Sequence, residues 1–423
     1  MNIDDKYLED YIEKALDLAE ELKAHPELGY NEYESSAILR KYWEGLGLKV
    51  EGPFGKTGIM ARIKGKLPGP TVCLLSELDA VISPKNPMAN AQGVAHACGH
   101  NIQSAQVYLA GAALLKNKDI LCGDVVLLAV PAEEFLEIEK RLELKKNGSI
   151  KYLSGKPELY RLGIFNEIDM VIMIHAYPST EDKLYVGGGS LGFVAKSIRI
   201  KGVSGHGAAP FESKNALQAA MLFFAGVNAN RETFRDEESI RIHPIITKGG
   251  EIVNSVPDDV RIETYVRGRT TDAIKKGCTV VDRCVKAASE MMGCTYEIET
   301  IPGYLPLCQS DGISKLAASI WESEGRNEDV VWGQDMVGST DIGDLCHLRP
   351  SVQLMLGGFE GQQHGADFRC INLKQTILEG GNLLFKLAVS LLEKNAEKGR
   401  EVISSFRRKL TDEEYFKYMD GGH

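Results

Sequence analysis

The chain has 423 residues, an apolar fraction of 43% and a formal net charge of -10, which predicts a globular protein of two or three compact units rather than one core. Its acidic start, MNIDDKYLED, has no apolar signal region, no apolar run is long enough to span a bilayer, and Lys/Arg cluster only briefly, as at Lys64 to Lys66 and in the FRRK of the tail. Secretion, nucleic acid and anionic membrane surfaces are therefore excluded as expectations, and nine cysteines without paired spacing predict free thiols in the cytoplasm.

Residues 4 to 23 predict a helix, with Ile12, Leu16, Ala19 and Leu22 at helical spacing, and a second helix is expected from about Glu32 to Leu46, stopped by Gly45 and Gly47. The texture then changes to short runs with little alternation: TVCLLSELD (71 to 79), DVVLLAVPAEE (124 to 134), DMVIMIHAYP (169 to 178) and, later, SVQLMLGG (351 to 358). Such runs, separated by helical stretches such as IQSAQVYLAGAALLKN, predict strands buried on both faces of a doubly wound, mainly parallel α/β sheet. Sites in open α/β sheets form at the carboxyl ends of strands, so Asp79, Glu133, Glu134 and His175 are expected to converge there.

Between residues 192 and 305 the order is FVAKSIRIKGV, a helix over NALQAAMLFFAGVNAN, IRIHPIITKGG, DVRIETYVRG, a helix over AIKKGCTVVDRCVKAASEMMG, and TYEIETIPGY. This is the βαββαβ order of a ferredoxin-like unit, with alternating strands. The expected organisation is a catalytic domain over 1–191, an inserted domain over 192–305, and the catalytic domain resumed over 306–423, its polar tail forming a surface helix.

One stretch, AHACGHN at 95 to 101, sets His96, Cys98 and His100 at alternate positions in a chain with nine histidines. Either these side chains pack a turn or they hold a metal. Cys98 and His100 suit zinc and other divalent transition ions, Glu134 can add a carboxylate oxygen, and His175 and His364 can add imidazoles. Ligands gathered from distant strand ends fit a catalytic site better than a structural one, which would show paired spacing. The plain alternative is a core cysteine and hydrogen-bonded histidines. The pair Glu133-Glu134 is tolerated if a cation lies between the carboxylates, one binding it and the other moving a proton; equally, both could sit at a solvated helix start.

The ordered set ELDA, HACGH, PAEE, IHAYP, GVSGHGAAP, GGEIVNSVPD, GSTD and QQHGADF resembles the metal-dependent amidohydrolase and exopeptidase family of aminoacylase, hippurate hydrolase, auxin-conjugate hydrolase and aminobenzoyl-glutamate hydrolase. The resemblance runs from HPELGY at 25 to His364. It implies a metal-binding α/β domain with an inserted lid through which members often dimerise, so a homodimer is expected. It further implies two divalent ions, zinc or manganese with cobalt as a further candidate, held by a bridging Cys98 thiolate and by His100, Glu134, His175 and His364. Glu133 would be general base and proton shuttle, and Asp79 the aspartate that orients a ligand. His206 would stabilise the oxyanion, in some members from the partner subunit, while Asn254 and Arg267 hold a substrate carboxylate. Taken without the family, Gly205-His206-Gly207 is equally a turn and Arg267 a strand-end charge.

The function implied is hydrolysis of N-acyl amino acids or related small conjugates to release a free amino acid. A dipeptidase on the same site, and a binding protein with the chemistry lost, are the competing expectations; the latter would show a damaged glutamate pair or a missing ligand, and all are present. Asn101 after His100, together with GSTD, resembles the aminobenzoyl-glutamate and β-alanyl-dipeptide hydrolase branch. Where relatives often have glycine after the glutamate pair, this chain has FLEIEKRLELKKNGSIKYLSGKPELY, a charged connection expected to shape the pocket. There is no GxSxG elbow, and Gly187 to Gly189 is not a GxGxxG loop. Cys278 and Cys284 are expected in a core, His243 and His347 as structural residues, and His25 as a packed residue or one at the head of a helix.

Overall fold

The apolar runs that lack alternation become the centre of an eight-stranded sheet in a computed structural model that describes residues 6–336 and 338–421. The strand order is Val50–Phe54, Gly58–Ile63, Cys122–Val130, Leu67–Glu77, Met170–Ala176, Ser351–Leu356, Leu184–Val186 and Val330–Trp332. From Cys122–Val130 to Ser351–Leu356 the neighbours are parallel, and every residue of Met170–Ala176 and Ser351–Leu356 is buried. Burial on both faces is why these strands read as unbroken apolar runs. The doubly wound, parallel-rich α/β unit expected from the sequence is present.

The edges were harder to foresee. Val50–Phe54 and Gly58–Ile63 add antiparallel strands at one side, although the first, VEGPF, carries a Gly-Pro pair that reads as a turn; an edge strand tolerates it. At the other side Leu184–Val186 and Val330–Trp332 have three residues each, too few for a periodic signal.

Three helices support the site. The first, Lys6–Ala24, buries Ile12, Ala19 and Leu22; residues 4 and 5 of the expected helix lie outside the described residues. His25, expected as a packed residue or at the head of a helix, instead closes this helix, with Nδ1 2.8 Å from the Glu21 carbonyl. Tyr33–Gly45 follows with Glu32 just before it. His100–Lys116 is buried continuously from His100 to Leu114 and packs between Lys6–Ala24 and Leu373–Leu392, which explains its apolar character all round.

Residues up to Gly189, Cys308–Asp335 and Asp344–Lys409 form one unit; Ser190–Leu307, Met336–Gly343 and the residues from Leu410 form a second. The tail, expected wholly with the first, is divided. Helix Glu397–Ser405 places Val402 in the large core, whereas Asp412–Met419 belongs to the second unit, where Tyr418 packs on that unit's core.

The second unit has strands Gly192–Lys201, Arg241–Lys248, Asp259–Gly268 and Thr295–Pro302 and helices Ala216–Asn230 and Thr271–Met291. Its antiparallel sheet has the order Arg241–Lys248, Asp259–Gly268, Gly192–Lys201, Thr295–Pro302, the ferredoxin-like arrangement the βαββαβ order predicts. Asn215 and Thr270 cap the two helices through their side chains, and Cys278 and Cys284 lie in the core as expected. All nine cysteines are unpaired. Among the described residues no helix is long and apolar enough to cross a membrane.

Candidate metal centre

The parallel strands end level, Glu77 opposite Val130 and Ala176 opposite Leu356, so the residues just past them share one edge of the sheet. There, one ligand atom each from Cys98, His100 and His175 lies within 4.8 Å of the others, and the same holds for Cys98, Glu134 and His364. The two groups share Cys98. A third such group joins Glu77, His100 and Glu133. His96, the first member of the alternating trio, belongs to none of them.

Local geometry explains how neighbours in sequence turn inward together. Gly99 has φ 89°, and a Cβ there would lie 2.9 Å from the Ala176 Cβ, so only glycine fits the turn between Cys98 and His100. The His100 Nδ1 sits 2.8 Å from the Asp79 carbonyl oxygen; Nδ1–H donating there leaves the Nε2 lone pair for a cation. At His175 the arrangement repeats, with Nδ1 2.9 Å from the Ala176 carbonyl and Nε2 3.5 Å from the Cys98 Sγ. His364 has φ 64°, held by its N–H on the Ala97 carbonyl at 2.8 Å and by the Ser83 hydroxyl on its own carbonyl at 3.1 Å.

The turn before the glutamate pair is also strained and held. Ala132 has φ 52°, and its N–H donates to the buried Glu32 carboxylate at 2.7 Å. The Asp79 Oδ2 accepts the Glu134 N–H at 2.9 Å, and Arg141 donates to the Glu134 carbonyl. Arg141 and Lys156 are both buried and both come from the charged connection after the pair. That segment forms helices Ile138–Lys146 and Gly155–Arg161, and these two cations turn inward behind the strand ends.

The electrostatics ask for a cation. The His100 Nε2 lies 3.1 Å from the Glu77 Oε2, and the His364 Nε2 3.0 Å from the Glu134 Oε1. Yet His100 Nε2, Glu77 Oε2 and Glu134 Oε1 are buried atoms with no hydrogen-bond partner among the described residues. An imidazole and a carboxylate buried this close without an aligned hydrogen bond are a costly arrangement unless a proton or a metal ion takes up the space between them. Burial raises the Cys98 thiol well above its usual pKa, with Glu134 adding to the effect. Burial disfavours a charged His100 ring, but Glu77 and Cys98 outweigh it and its pKa stands well above the ordinary value. For Glu134 burial is the largest influence and acts upward, but His364, His100 and Cys98 together outweigh it, so the net shift is down. The donor set of thiol, imidazole and carboxylate fits a divalent transition ion.

In the second unit, His206 and Asn254 lie on paired loops: the Gly207 N–H donates to the Asn254 carbonyl at 2.7 Å, and His206 bridges Ser255. The Ala208 N–H donates to the His206 Nδ1 at 3.1 Å, which makes Nε2 the protonated nitrogen. Arg267 stands near the end of strand Asp259–Gly268, its guanidinium 5.2 Å from the Phe193 ring centre and 5.4 Å from that of Tyr265. It donates to the Ser339 hydroxyl at 2.6 Å, and no carboxylate of the described residues pairs with it.

Sequence reasoning missed Glu77, Glu32 and Lys156. For Glu77 a signal existed: in ELDA it stands two residues before Asp79, the spacing that puts both side chains on one face of an extended strand. Lys156 and Glu32 gave none, because their partners lie 79 and 100 residues away.

The profile of peptidase family M20/M25/M40 matches residues 73–390. A thermostable carboxypeptidase 2 of Saccharolobus solfataricus is 27% identical over 84% of this chain and 87% of its own length. An N-acyl-L-amino acid amidohydrolase of Geobacillus stearothermophilus is 26% identical over 69% and 76%. Among solved structures, the YXEP protein of Bacillus subtilis, described as a dinuclear metal binding peptidase of the M20 family, superposes with a TM-score of 0.73 at 20% identity, covering 91% of this chain and 99% of that one.

Proposed function

The chain belongs to peptidase family M20/M25/M40 and is a metal-dependent hydrolase of amide or peptide bonds, and we propose that it uses two divalent ions to release a free amino acid from N-acyl amino acids or related small conjugates. The observation that carries this is Cys98, shared by a Cys98–His100–His175 group and a Cys98–Glu134–His364 group. A thiolate can bridge two ions, as a lone structural site would not require.

Zinc, manganese or cobalt bound there would polarise the scissile carbonyl and activate a water. Glu133, within the group that includes His100, takes the proton from the attacking water and returns it to the leaving amine. Asp79 fixes the His100 ring and the Glu134 backbone at once. In the second unit, the His206 Nε2–H donates to the developing oxyanion, and Arg267, which pairs with no carboxylate among the described residues, takes the substrate carboxylate with Asn254. A carboxypeptidase and an N-acyl-L-amino acid amidohydrolase among the relatives are consistent with a substrate whose amine side ends in a free carboxylate. A dipeptide is the second reading, differing only in the acyl half.

A second copy of the chain completes the reading. Edge strand Arg241–Lys248 of the second unit leaves Ile245 52% and Ile246 37% exposed, an apolar edge that a partner strand would cover. The nine free thiols suit the reducing cytoplasm.

The test is release of free amino acid by purified protein with zinc, manganese or cobalt, on N-acetyl, N-benzoyl, aminobenzoyl-glutamate, indole-acetyl and β-alanyl substrates, with Glu133→Gln as control. Metal-dependent turnover that falls by about two to four orders of magnitude in the control supports the reading. Turnover unchanged by chelation or by Glu133→Gln rejects it.

A further inference from the structure

Lys156 and Glu77 form an ion pair that none of the expected ligands or bases includes. The Lys156 Nζ donates to the Glu77 Oε1 at 2.5 Å, and both side chains are wholly enclosed, at 0% exposure. The second oxygen, Oε2, is the one facing the His100 Nε2 at 3.1 Å, and neither atom has a hydrogen-bond partner among the described residues. Two donors each roughly 2.1 Å from one ion stand about 3.0–3.4 Å apart for angles between square and tetrahedral. The observed separation fits two ligands of one cation; it is also within hydrogen-bond range, and it is the lack of a hydrogen-bond partner for either atom among the described residues that favours the ion.

We propose that Glu77 faces the same cation as His100, and that Lys156 is the positioning residue that holds this carboxylate in place and cancels its charge while the cation is absent. The proposal rests on the two-ion reading above and deepens it. Its logic is electrostatic. A carboxylate at full burial is tolerated only beside a counter-charge. Were the ion the sole counter-charge, the metal-free site would hold an unpaired anion; with Lys156 on Oε1, Oε2 stays aimed at the ion's position before the ion arrives. It also gives a role to the charged connection after the glutamate pair, whose helix Gly155–Arg161 carries the ammonium to the end of strand Leu67–Glu77.

The two partners should respond to substitution in opposite ways. Removing the carboxylate removes a ligand atom; removing the ammonium leaves an anion that the metal alone can neutralise. The experiment is calorimetric titration of chelator-stripped protein with Zn²⁺ and Co²⁺, with bound metal counted by elemental analysis and thermal unfolding followed with and without ion. The charge-balanced variant Glu77→Gln/Lys156→Met should bind one of its two ions at least tenfold more weakly than wild type. Lys156→Met alone, prepared with ion present if needed, should keep both ions and show a larger rise in Tm on Co²⁺ binding than wild type. A salt bridge of purely structural value would lower stability in both variants and leave ion affinity and the ion-induced Tm rise as they are. Two ions bound by the double variant within twofold of wild-type affinity overturns the proposal. Wild-type protein that takes up no pair of ions sinks the two-ion reading instead, so the two failures are distinguishable.

Discussion

The Asp79 carboxylate accepts the Glu134 backbone N–H at 2.9 Å, while the carbonyl of the same residue sits 2.8 Å from the His100 Nδ1. One residue thus orients a candidate ligand from each of the two Cys98-centred groups. Asp79→Asn keeps an oxygen for the Glu134 N–H but removes a buried negative charge behind both ligands. We expect folding to persist, by circular dichroism, and kcat/KM to fall roughly ten- to hundredfold, the usual range for partners behind metal ligands. Unchanged kinetics at saturating metal would show that the contact is incidental.

Metal uptake should release protons. Burial, reinforced by Glu134, holds the Cys98 thiol well above its ordinary pKa, so in metal-free protein the sulfur is protonated at neutral pH. A cation binds the thiolate, so apparent affinity should rise with pH, by about tenfold per unit for each proton displaced. Titration in two buffers of different ionisation enthalpy measures the number released; zero protons would contradict a thiolate ligand. Stripping the ions with a chelator should lower Tm, because the ions bind the folded chain alone.

Glu32 makes a pH prediction with the opposite sign to most carboxylates. Burial, then Asp79, raise its pKa from 4.5 to about 7. Between these values the unfolded chain has lost the proton that the folded chain keeps, so this group's contribution is fully present below pH 4.5 and declines as pH rises to about 7. Glu32→Gln removes the titration and keeps an acceptor for the Ala132 N–H. In metal-free protein it should stabilise by about 3 kcal/mol at pH 8 and little at pH 4.5. Urea unfolding at the two pH values measures this, and an equal effect at both would sink it.

Arg267→Met should separate carboxylate recognition from chemistry. The guanidinium is braced by Phe193 and Tyr265, and burial lowers its pKa, so an anionic partner is favourable. Loss of a charge-assisted pair should raise KM roughly ten- to hundredfold for substrates with a free carboxylate. Substrates amidated at that carboxylate should respond equally poorly to wild type and variant. A variant that kept the wild-type preference for the free carboxylate over the amide would assign Arg267 a packing role.

Half of the second unit's edge should govern self-association. Ile245→Lys places a charge on the exposed edge strand. Light scattering after gel filtration should show a smaller species than wild type; a wild-type mass unchanged by the substitution would move the interface elsewhere.

The central sheet and the ferredoxin-like unit were legible because their periods are local: unbroken apolar runs mark strands buried on both faces, and alternation marks strands with one exposed face. The edge strand Val50–Phe54 was not, because Gly52-Pro53 breaks its pattern where the sheet tolerates a break. The last helix was assigned to the first unit because its polar composition says where it is exposed and not which core its buried residues, Tyr415 and Met419, meet.

By itself the sequence determined the kinds of chemistry available: one cysteine, three histidines and paired glutamates at strand ends and loops, in the order that the family resemblance required. Only the tertiary structure decided that Cys98 belongs to two candidate ligand groups, that Ala132 and His364 are held in strained turns, and that Lys156 and Glu32 reach the back of the candidate site. The reason is that residue type and spacing fix what a side chain can donate along its own strand or helix, whereas a shared ion position or a buried counter-charge is set by elements about a hundred residues apart in the chain, which meet only when the sheet closes.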